Sequence, residues 1–323
     1  MIVVLIFSGI CLDAIKQGSI GELDSLLLIP PQIGFALALL NKKVFSRMLL
    51  WAFILVAGYF IISMLIGVAP SNVLVGRSAN HVSTVMIFLG CLVYGRCADE
   101  NKRFSLIPAL IVFMLSVWAL GRGGIIASGI ILVGLFVSKR RRARFDYYFI
   151  GLGVIVVGII LFGDIRINFN LFHKSFSFEK FSSKSAIEDP RILILDQYKE
   201  KLNLKTVLLG FDRDALEEIF PLENMHNSFL AMHFRFGMFA FPIIGLMFYA
   251  LVRSLSKNKC FFILLLAIYV RAFTDTILLP TGYFDFVFYF IYVRIMNSSR
   301  YLVLRKKITK NPKMPTLLPA GNQ

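Results

Sequence analysis

The side chains best suited to a charged substrate are arginines that lie between long apolar stretches. Arg122 lies in a Gly-Arg-Gly-Gly run at 121–124, and Arg191 follows Asp189-Pro190. A guanidinium stays charged and can hold two phosphate or carboxylate oxygens at once, so both arginines are candidates for binding an anion. The alternatives are a glycine-rich turn with an arginine reaching to the membrane surface, and a surface arginine on a solvated helix.

A histidine opens the sequence His-Asn-Ser-Phe-Leu at 226–230. Because the pKa of histidine lies near neutrality, His226 is a candidate proton acceptor, with Asn227 beside it as a substrate-binding candidate. The alternative is a histidine that caps a helix or packs at the membrane interface. His233 lies two helical turns further on, where it would share the face of His226.

A second polar cluster, Arg-Ser-Ala-Asn-His at 77–81, precedes another apolar stretch and provides three substrate-binding candidates, Arg77, Asn80 and His81. Arg213 is a further substrate-binding candidate. Arg271 and Asp275 are four residues apart, so the sequence predicts an ion pair on one helix face, with a structural role favoured.

Apolar blocks must position these residues. Hydrophobic residues make up 57% of the 323 positions and occur in runs of membrane-span length. The Pro30-Pro31 pair predicts a kink or break in the second run. The sequence predicts an all-α polytopic membrane protein with about ten transmembrane helices, at about 1–15, 23–40, 48–69, 81–95, 104–120, 123–138, 146–163, 227–252, 260–279 and 282–297.

The formal net charge of +16 is concentrated in alternate links between these spans. Because lysine and arginine accumulate on the cytoplasmic side, both termini are predicted to be cytoplasmic and the polar segment 164–225 to lie outside. The basic tail is predicted to lie against anionic headgroups, in preference to nucleic acid. The predicted units are an N-terminal bundle (1–163), an outer loop (164–225), a C-terminal bundle (226–297) and a cytoplasmic tail (298–323).

The outer loop is too long to be a structureless link. Asp189-Pro190 is a typical helix start, so a helix is predicted over 191–204, with Ile192, Leu195, Tyr198 and Leu202 on its apolar face. A second short helix is predicted over 212–220. Together they would form a lid on the outer ends of the spans.

No cofactor or metal is expected, since no acidic metal-binding cluster is evident. The four cysteines lack metal-site spacing and are predicted to be packing residues.

The motifs at 78–81, 121–124, 189–191 and 226–230 together resemble those of the bacterial O-antigen polymerase and O-antigen ligase superfamily. In that family they correspond to a polar cluster before a span, a Ser-Arg-Gly-Gly turn, an Asp-x-Arg start of the outer loop and a His-Asn-x-x-Leu motif. Two features depart from the pattern: Gly121 replaces the serine, and the chain is shorter than the usual family member of about twelve spans.

The resemblance implies a GT-C-like glycosyltransferase at the periplasmic face of the inner membrane. It would join undecaprenyl-pyrophosphate-linked oligosaccharides into polysaccharide for lipopolysaccharide, without metal, with a chain-length regulator as a possible partner. Arg122 and Arg191 would bind the pyrophosphate and His226 would position or deprotonate the acceptor. A polymerase is favoured over a ligase that uses lipid A core, because a short, divergent chain suits polymerases. A transporter of lipid-linked sugars is the alternative from another class. It is disfavoured because most ionisable residues lie at span ends.

Overall fold

The computed structural model describes residues 1–17, 24–40, 44–139, 190–212, 225–279 and 283–310. Within these ranges every regular element is helical, which confirms the all-α class. The α-helices are α1 (Ile2–Gln17), α2 (Asp24–Leu40), α3 (Ser46–Leu65), α4 (Pro70–Val73), α5 (Asn80–Asp99), α6 (Ile107–Trp118), α7 (Arg122–Lys139), α8 (Pro190–Glu200), α9 (Leu204–Leu209), α10 (Ser228–Phe236), α11 (Ala240–Lys257), α12 (Lys259–Thr274) and α13 (Asp285–Lys310), with a 3₁₀ turn at Gly237–Phe239.

Helices occupy most of each predicted span that the structure describes, but residues 66–69 and 275–279, at the ends of two spans, are not helical. The span at 146–163 lies outside the described residues. By length and composition, three segments can cross a membrane: Ser46–Leu65, Asn80–Asp99 and Ser228–Lys257. The apolar parts of three other helices, Leu28–Leu40, Ile107–Trp118 and Arg122–Ser138, are shorter. The chain is therefore compatible with a membrane protein, while the number of about ten spans remains a prediction.

The predicted span at 227–252 lies within a segment that is apolar enough to cross a membrane, but it is not one straight helix, because the chain turns back at the 3₁₀ turn. The Phe229 ring of α10 stacks on the Phe248 ring of α11 with centroids 6.0 Å apart. In one straight helix these residues would be about 28 Å apart, at 1.5 Å per residue. The reversal is made by Gly237, whose φ is +51° and which has no room for a Cβ beside the Leu209 carbonyl carbon, 2.6 Å away.

Helix α10 is held at an angle to α1. Asp13 of α1 pairs with Arg235 at 2.9 Å, and the Lys16 Nζ donates to the Phe234 carbonyl at 3.3 Å. Gly9 of α1 lies against the Phe236 ring. Residues spread over two turns of α1 therefore contact three consecutive residues of α10. The two helices therefore cross, and Arg235 is neutralised by a buried carboxylate.

Two further predictions on element boundaries need correction, and a third is narrowed. Helix α2 is continuous through Pro30 and Pro31, so of the predicted kink or break the break does not occur. Helix α13 continues to Lys310, past the predicted start of the tail at 298, because basic residues are good helix formers. The predicted helix over 191–204 runs from Pro190 to Glu200.

The buried face of α8 also differs from the prediction. Ile194 and Tyr198 are buried, whereas Leu195 and Leu202 are exposed. The Tyr198 hydroxyl is hydrogen-bonded to His233 Nδ1, and burial raises the pKa of that hydroxyl. The unpredicted α9 follows, with a capping box between Asn203 and Thr206 at its start. Almost all of the predicted helix at 212–220 lies outside the described residues.

A main core of buried apolar side chains forms where α12 packs along α7 and α5, with α13 packing on α2. Cys91 and Cys260 are buried in this core as free thiols. This packing joins helices from both ends of the sequence around the first turns of α5 and α7.

At the opposite end of the same helices, Arg96 forms a buried ionic cluster. Its side chain is 2% exposed and bonds to Asp99 at 2.7 Å, Glu100 at 3.0 Å and the Leu39 carbonyl at 3.1 Å. The predicted span ended at 95, which placed Arg96 in the basic link that follows, but Arg96 lies within α5. Burial acts to raise the pKa of Glu100, yet hydrogen bonds from Lys102 and Ser46 outweigh it and lower the pKa to about 2.

Replacing Arg96 with alanine should lower the free energy of unfolding by about 3 kcal/mol, because the Asp99 carboxylate loses a buried partner. Thermal unfolding in detergent micelles would measure the loss. Arg103→Ala is the control, since Arg103 is exposed and its loss should cost less than about 0.5 kcal/mol. Equal melting temperatures for the two variants would contradict a structural role for the cluster.

Candidate active site

The glycines at the start of α7 allow its backbone to pack directly against α5 and α12. A Cβ on Gly121 would overlap Asn80 Oδ1, and a Cβ on Gly123 would lie 2.5 Å from the Cβ of Thr274. The run 121–124 is therefore a close-packed junction between α5, α7 and α12. Arg122 is half-buried at this junction, as the first residue of α7.

Beside this junction, Arg271 and Asp275 form the predicted ion pair, at 2.7 Å between Nη2 and Oδ2. Both side chains are buried. The Arg271 guanidinium also donates to Thr84 Oγ1 at 2.8 Å and to Thr274 Oγ1 at 3.1 Å. A buried guanidinium with this many acceptors is fixed in position. It therefore holds the Asp275 carboxylate in place at the end of α12.

His226 lies next to this carboxylate, with its Nδ1 4.0 Å from Asp275 Oδ1. Its side chain is 29% exposed, and its backbone is left-handed with a φ of +49°. Few residues other than glycine adopt this conformation, and such positions cluster at functional sites. Asn227 caps α10 by accepting from the Phe229 and Leu230 amides at 2.9 and 3.2 Å.

The chain after α12 is non-helical and largely buried, yet its amides are satisfied by side chains. Asp275 Oδ1 accepts from the Thr276 amide, and Asp285 Oδ1 accepts from the Leu279 amide. Ser228 Oγ donates to the Asp275 carbonyl and accepts from the amides of Ile277 and Leu278, at 2.9 and 3.1 Å. Buried non-helical backbone requires such partners. These bonds fix Asp275 relative to the start of α10.

The predicted cluster at 77–81 borders the same site. His81 Nδ1 lies 3.2 Å from Ser78 Oγ. The exposed Arg77 guanidinium lies over the Tyr283 ring, 5.5 Å from its centroid. The backbone carbonyl of Tyr283 accepts a hydrogen bond from the side-chain amide of Gln32 at 3.2 Å, which holds Tyr283 in place. A cation held on an aromatic ring at the edge of the site is available to an anionic ligand.

The structure thus brings six sequence-predicted residues to one end of the bundle: Arg77, Asn80, His81, Arg122, His226 and Asn227. Arg191 is in the first turn of α8, but its side chain lies outside the described residues, as does Arg213. Helix α8 does pack beside the site, because Ile194 and Tyr198 share an apolar cluster with Met225, the residue before His226. His233 is not part of the site, since it bonds to Tyr198 and to the Val207 carbonyl.

Three residues of the site were missed or undervalued by the sequence analysis. Thr84 binds Arg271. It lies one helical turn after Asn80 and so on the same helix face, and this spacing could have identified it from the sequence. Asp275 was predicted to be paired but was not connected with His226, because 49 positions separate them. Tyr283 had no recognisable motif.

The arrangement combines a histidine beside a fixed carboxylate with arginines at its border. A carboxylate near one imidazole nitrogen favours a proton on that nitrogen, which leaves the other nitrogen able to accept a proton from a substrate. The arginines suit an anionic group on the same substrate. The described residues thus bring a candidate proton acceptor and candidate anion-binding groups to one end of the bundle. No protein-family model matches the chain, and neither does any curated protein or solved structure.

Proposed function

We propose that the protein is an O-antigen polymerase, a glycosyltransferase that joins undecaprenyl-pyrophosphate-linked oligosaccharides at the periplasmic face of the inner membrane. The observation that carries the proposal is the placement of His226 4.0 Å from a buried, arginine-bound Asp275, next to the Gly-Arg-Gly-Gly junction and the cluster at 77–81. These segments are far apart in sequence, and each contributes a residue suited to one part of this reaction.

In the proposed reaction, the acceptor sugar hydroxyl attacks the anomeric carbon of the donor glycan. The bond between that carbon and the pyrophosphate oxygen breaks, and the pyrophosphate leaves on its lipid carrier. His226 Nδ1 keeps its proton towards Asp275, so Nε2 takes the proton of the hydroxyl. Asp275, held by Arg271, orients the imidazole and stabilises its positive charge.

The leaving pyrophosphate gains negative charge as the bond breaks, and fixed cations stabilise that charge. We propose Arg122, the half-buried first residue of α7, as one of these cations. Arg77 lies at the open edge of the site, where it can meet the lipid-linked group. Helix α8 would bring Arg191 to the same region.

The acceptor distinguishes a polymerase from a ligase. A polymerase transfers the glycan to another carrier-linked repeat unit, whereas a ligase transfers it to lipid A core, and experiment separates the two.

Purified protein in liposomes, supplied with carrier-linked repeat units, should produce a ladder of longer carrier-linked glycans and free carrier pyrophosphate. EDTA should leave the ladder unchanged, because arginines supply the positive charge in this mechanism. Activity lost in EDTA and restored by Mg²⁺ would overturn the metal-independent mechanism.

Deletion of the gene tests the choice of acceptor. A polymerase mutant should leave lipopolysaccharide with core plus a single repeat unit on a gel. Bare core with accumulated carrier-linked polymer would instead identify a ligase. Unchanged lipopolysaccharide and an inactive purified protein would remove support for both.

A further inference from the structure

Helix α9 carries an apolar surface that no described part of the chain covers. Leu204 is 77% exposed, and Leu208 and Leu209 are also exposed. Leu204 and Leu208 are four residues apart, so they form one stripe along the helix. A run of exposed leucines on a short helix is unusual for a water-facing loop.

This helix is rigidly attached, so its leucines cannot turn inward. The Phe211 amide donates to the Phe234 carbonyl at 2.9 Å, and the Val207 carbonyl is bound by His233 at 3.1 Å. Gly210 and Gly237 allow the two backbones to touch, since a Cβ on Gly210 would lie 3.0 Å from the His233 carbonyl oxygen. The outward direction of the leucines is therefore a fixed property of the fold.

The apolar surface continues onto the outer end of α11. Met238 in the 3₁₀ turn is 47% exposed, and Phe241 is 54% exposed. Further along α11 the outward-facing residues are again apolar, namely Phe248, Tyr249, Val252 and Leu255. Since α11 belongs to a segment long and apolar enough to cross a membrane, its exposed stripe faces lipid. Helix α9 extends that lipid-facing stripe beyond the end of α11.

Lysines lie next to the leucines. Lys199 and Lys205 are exposed on either side of the turn between α8 and α9, and Lys199 pairs loosely with Asp196 at 3.4 Å. Lysines that flank an apolar helix face suit the phosphate level of a bilayer, where the chain is buried and the ammonium group meets headgroups.

We infer that α9 is an interfacial anchor, with Leu204, Leu208 and Leu209 inserted into the headgroup region of the bilayer that surrounds α11. Helix α8, which is bound to α10 through Tyr198 and His233, is thereby held at the membrane surface. The inference does not depend on the proposed reaction. It identifies the polar segment, where the structure describes it, as part of the membrane-contacting surface.

Tryptophan fluorescence tests the anchor in the full-length protein. A Trp51→Phe background leaves only Trp118, which is buried. Leu204→Trp is then compared with Asp196→Trp, whose site is on the exposed polar side of α8. Both are reconstituted in phosphatidylethanolamine and phosphatidylglycerol vesicles, with and without brominated acyl chains, and iodide serves as the water-soluble quencher.

The added emission of Leu204→Trp should be lost in brominated vesicles and resist iodide, while Asp196→Trp should show the opposite pattern. Quenching of Leu204→Trp by iodide and not by brominated lipid would overturn the inference. Resistance to both quenchers would also overturn it, because the surface would then be covered by protein.

Discussion

His226→Asn should abolish chain extension, with a loss of about 10²–10⁴-fold in the rate of glycan transfer. In the proposed mechanism, the substitution removes the basic nitrogen that takes the acceptor proton. Asparagine tolerates the left-handed conformation of this position better than most residues, so the fold should be retained. The measurement is the ladder assay with carrier-linked repeat units, together with thermal unfolding to confirm an intact protein.

Asp275→Asn is the companion variant. It keeps the shape of the side chain but removes the charge that, in the proposed mechanism, stabilises the protonated imidazole. Because it also removes the counter-ion of the buried Arg271, its rate is compared only after thermal unfolding has confirmed a folded protein. Its rate should fall less than that of His226→Asn, and the double variant should be little worse than His226→Asn alone. Full ladders from His226→Asn in a correctly folded protein would show that His226 is not the proton acceptor.

Gly123→Ala should destabilise the protein by about 1–3 kcal/mol or more, because the added methyl group has no space at the α7–α12 junction. It would lie 2.5 Å from the Cβ of Thr274, the last residue of the neighbouring helix α12. Thr274 accepts from Arg271, so displacement of α12 should also disturb Asp275 and lower activity. Thermal unfolding and the ladder assay would measure the two effects.

Gly245→Ala is the matched control. It is a helical glycine with no atom within 4 Å of the added Cβ, so the same substitution should be neutral or slightly stabilising there. Similar melting temperatures for Gly123→Ala and Gly245→Ala would mean that α7 and α12 are not tightly packed at the junction.

Local chemistry made part of the site predictable from sequence. The polar residues at 77–81, 121–124 and 226–230 precede apolar runs, and Asn227 is a typical helix cap. Their convergence depends on long-range packing, which the sequence does not display. The role of Ser228 could not be predicted, because its partners Ile277 and Leu278 lie 49 and 50 positions away.

Hydropathy failed at two positions for identifiable reasons. Both α10 and α11 are apolar, so the run 227–252 resembles one span in the sequence. The structure shows that the chain turns back at Gly237, which has a positive φ. Arg96 follows an apolar run and was therefore placed in a link. Its burial depends on Asp99 and Glu100 in the next turn, which neutralise it. Neighbouring carboxylates are the signal that distinguishes such an arginine from a solvated one.

The hydrogen bonds of Ser228 also limit when the site can form during biosynthesis. Its partners are the carbonyl of Asp275 and the amides of Ile277 and Leu278, all of which are synthesised after α11 and α12. A nascent chain that ends before this segment has His226 but lacks the carboxylate beside it. The candidate site is therefore completed only after residues 275–278 have been synthesised, so a product truncated before them should have no partial activity.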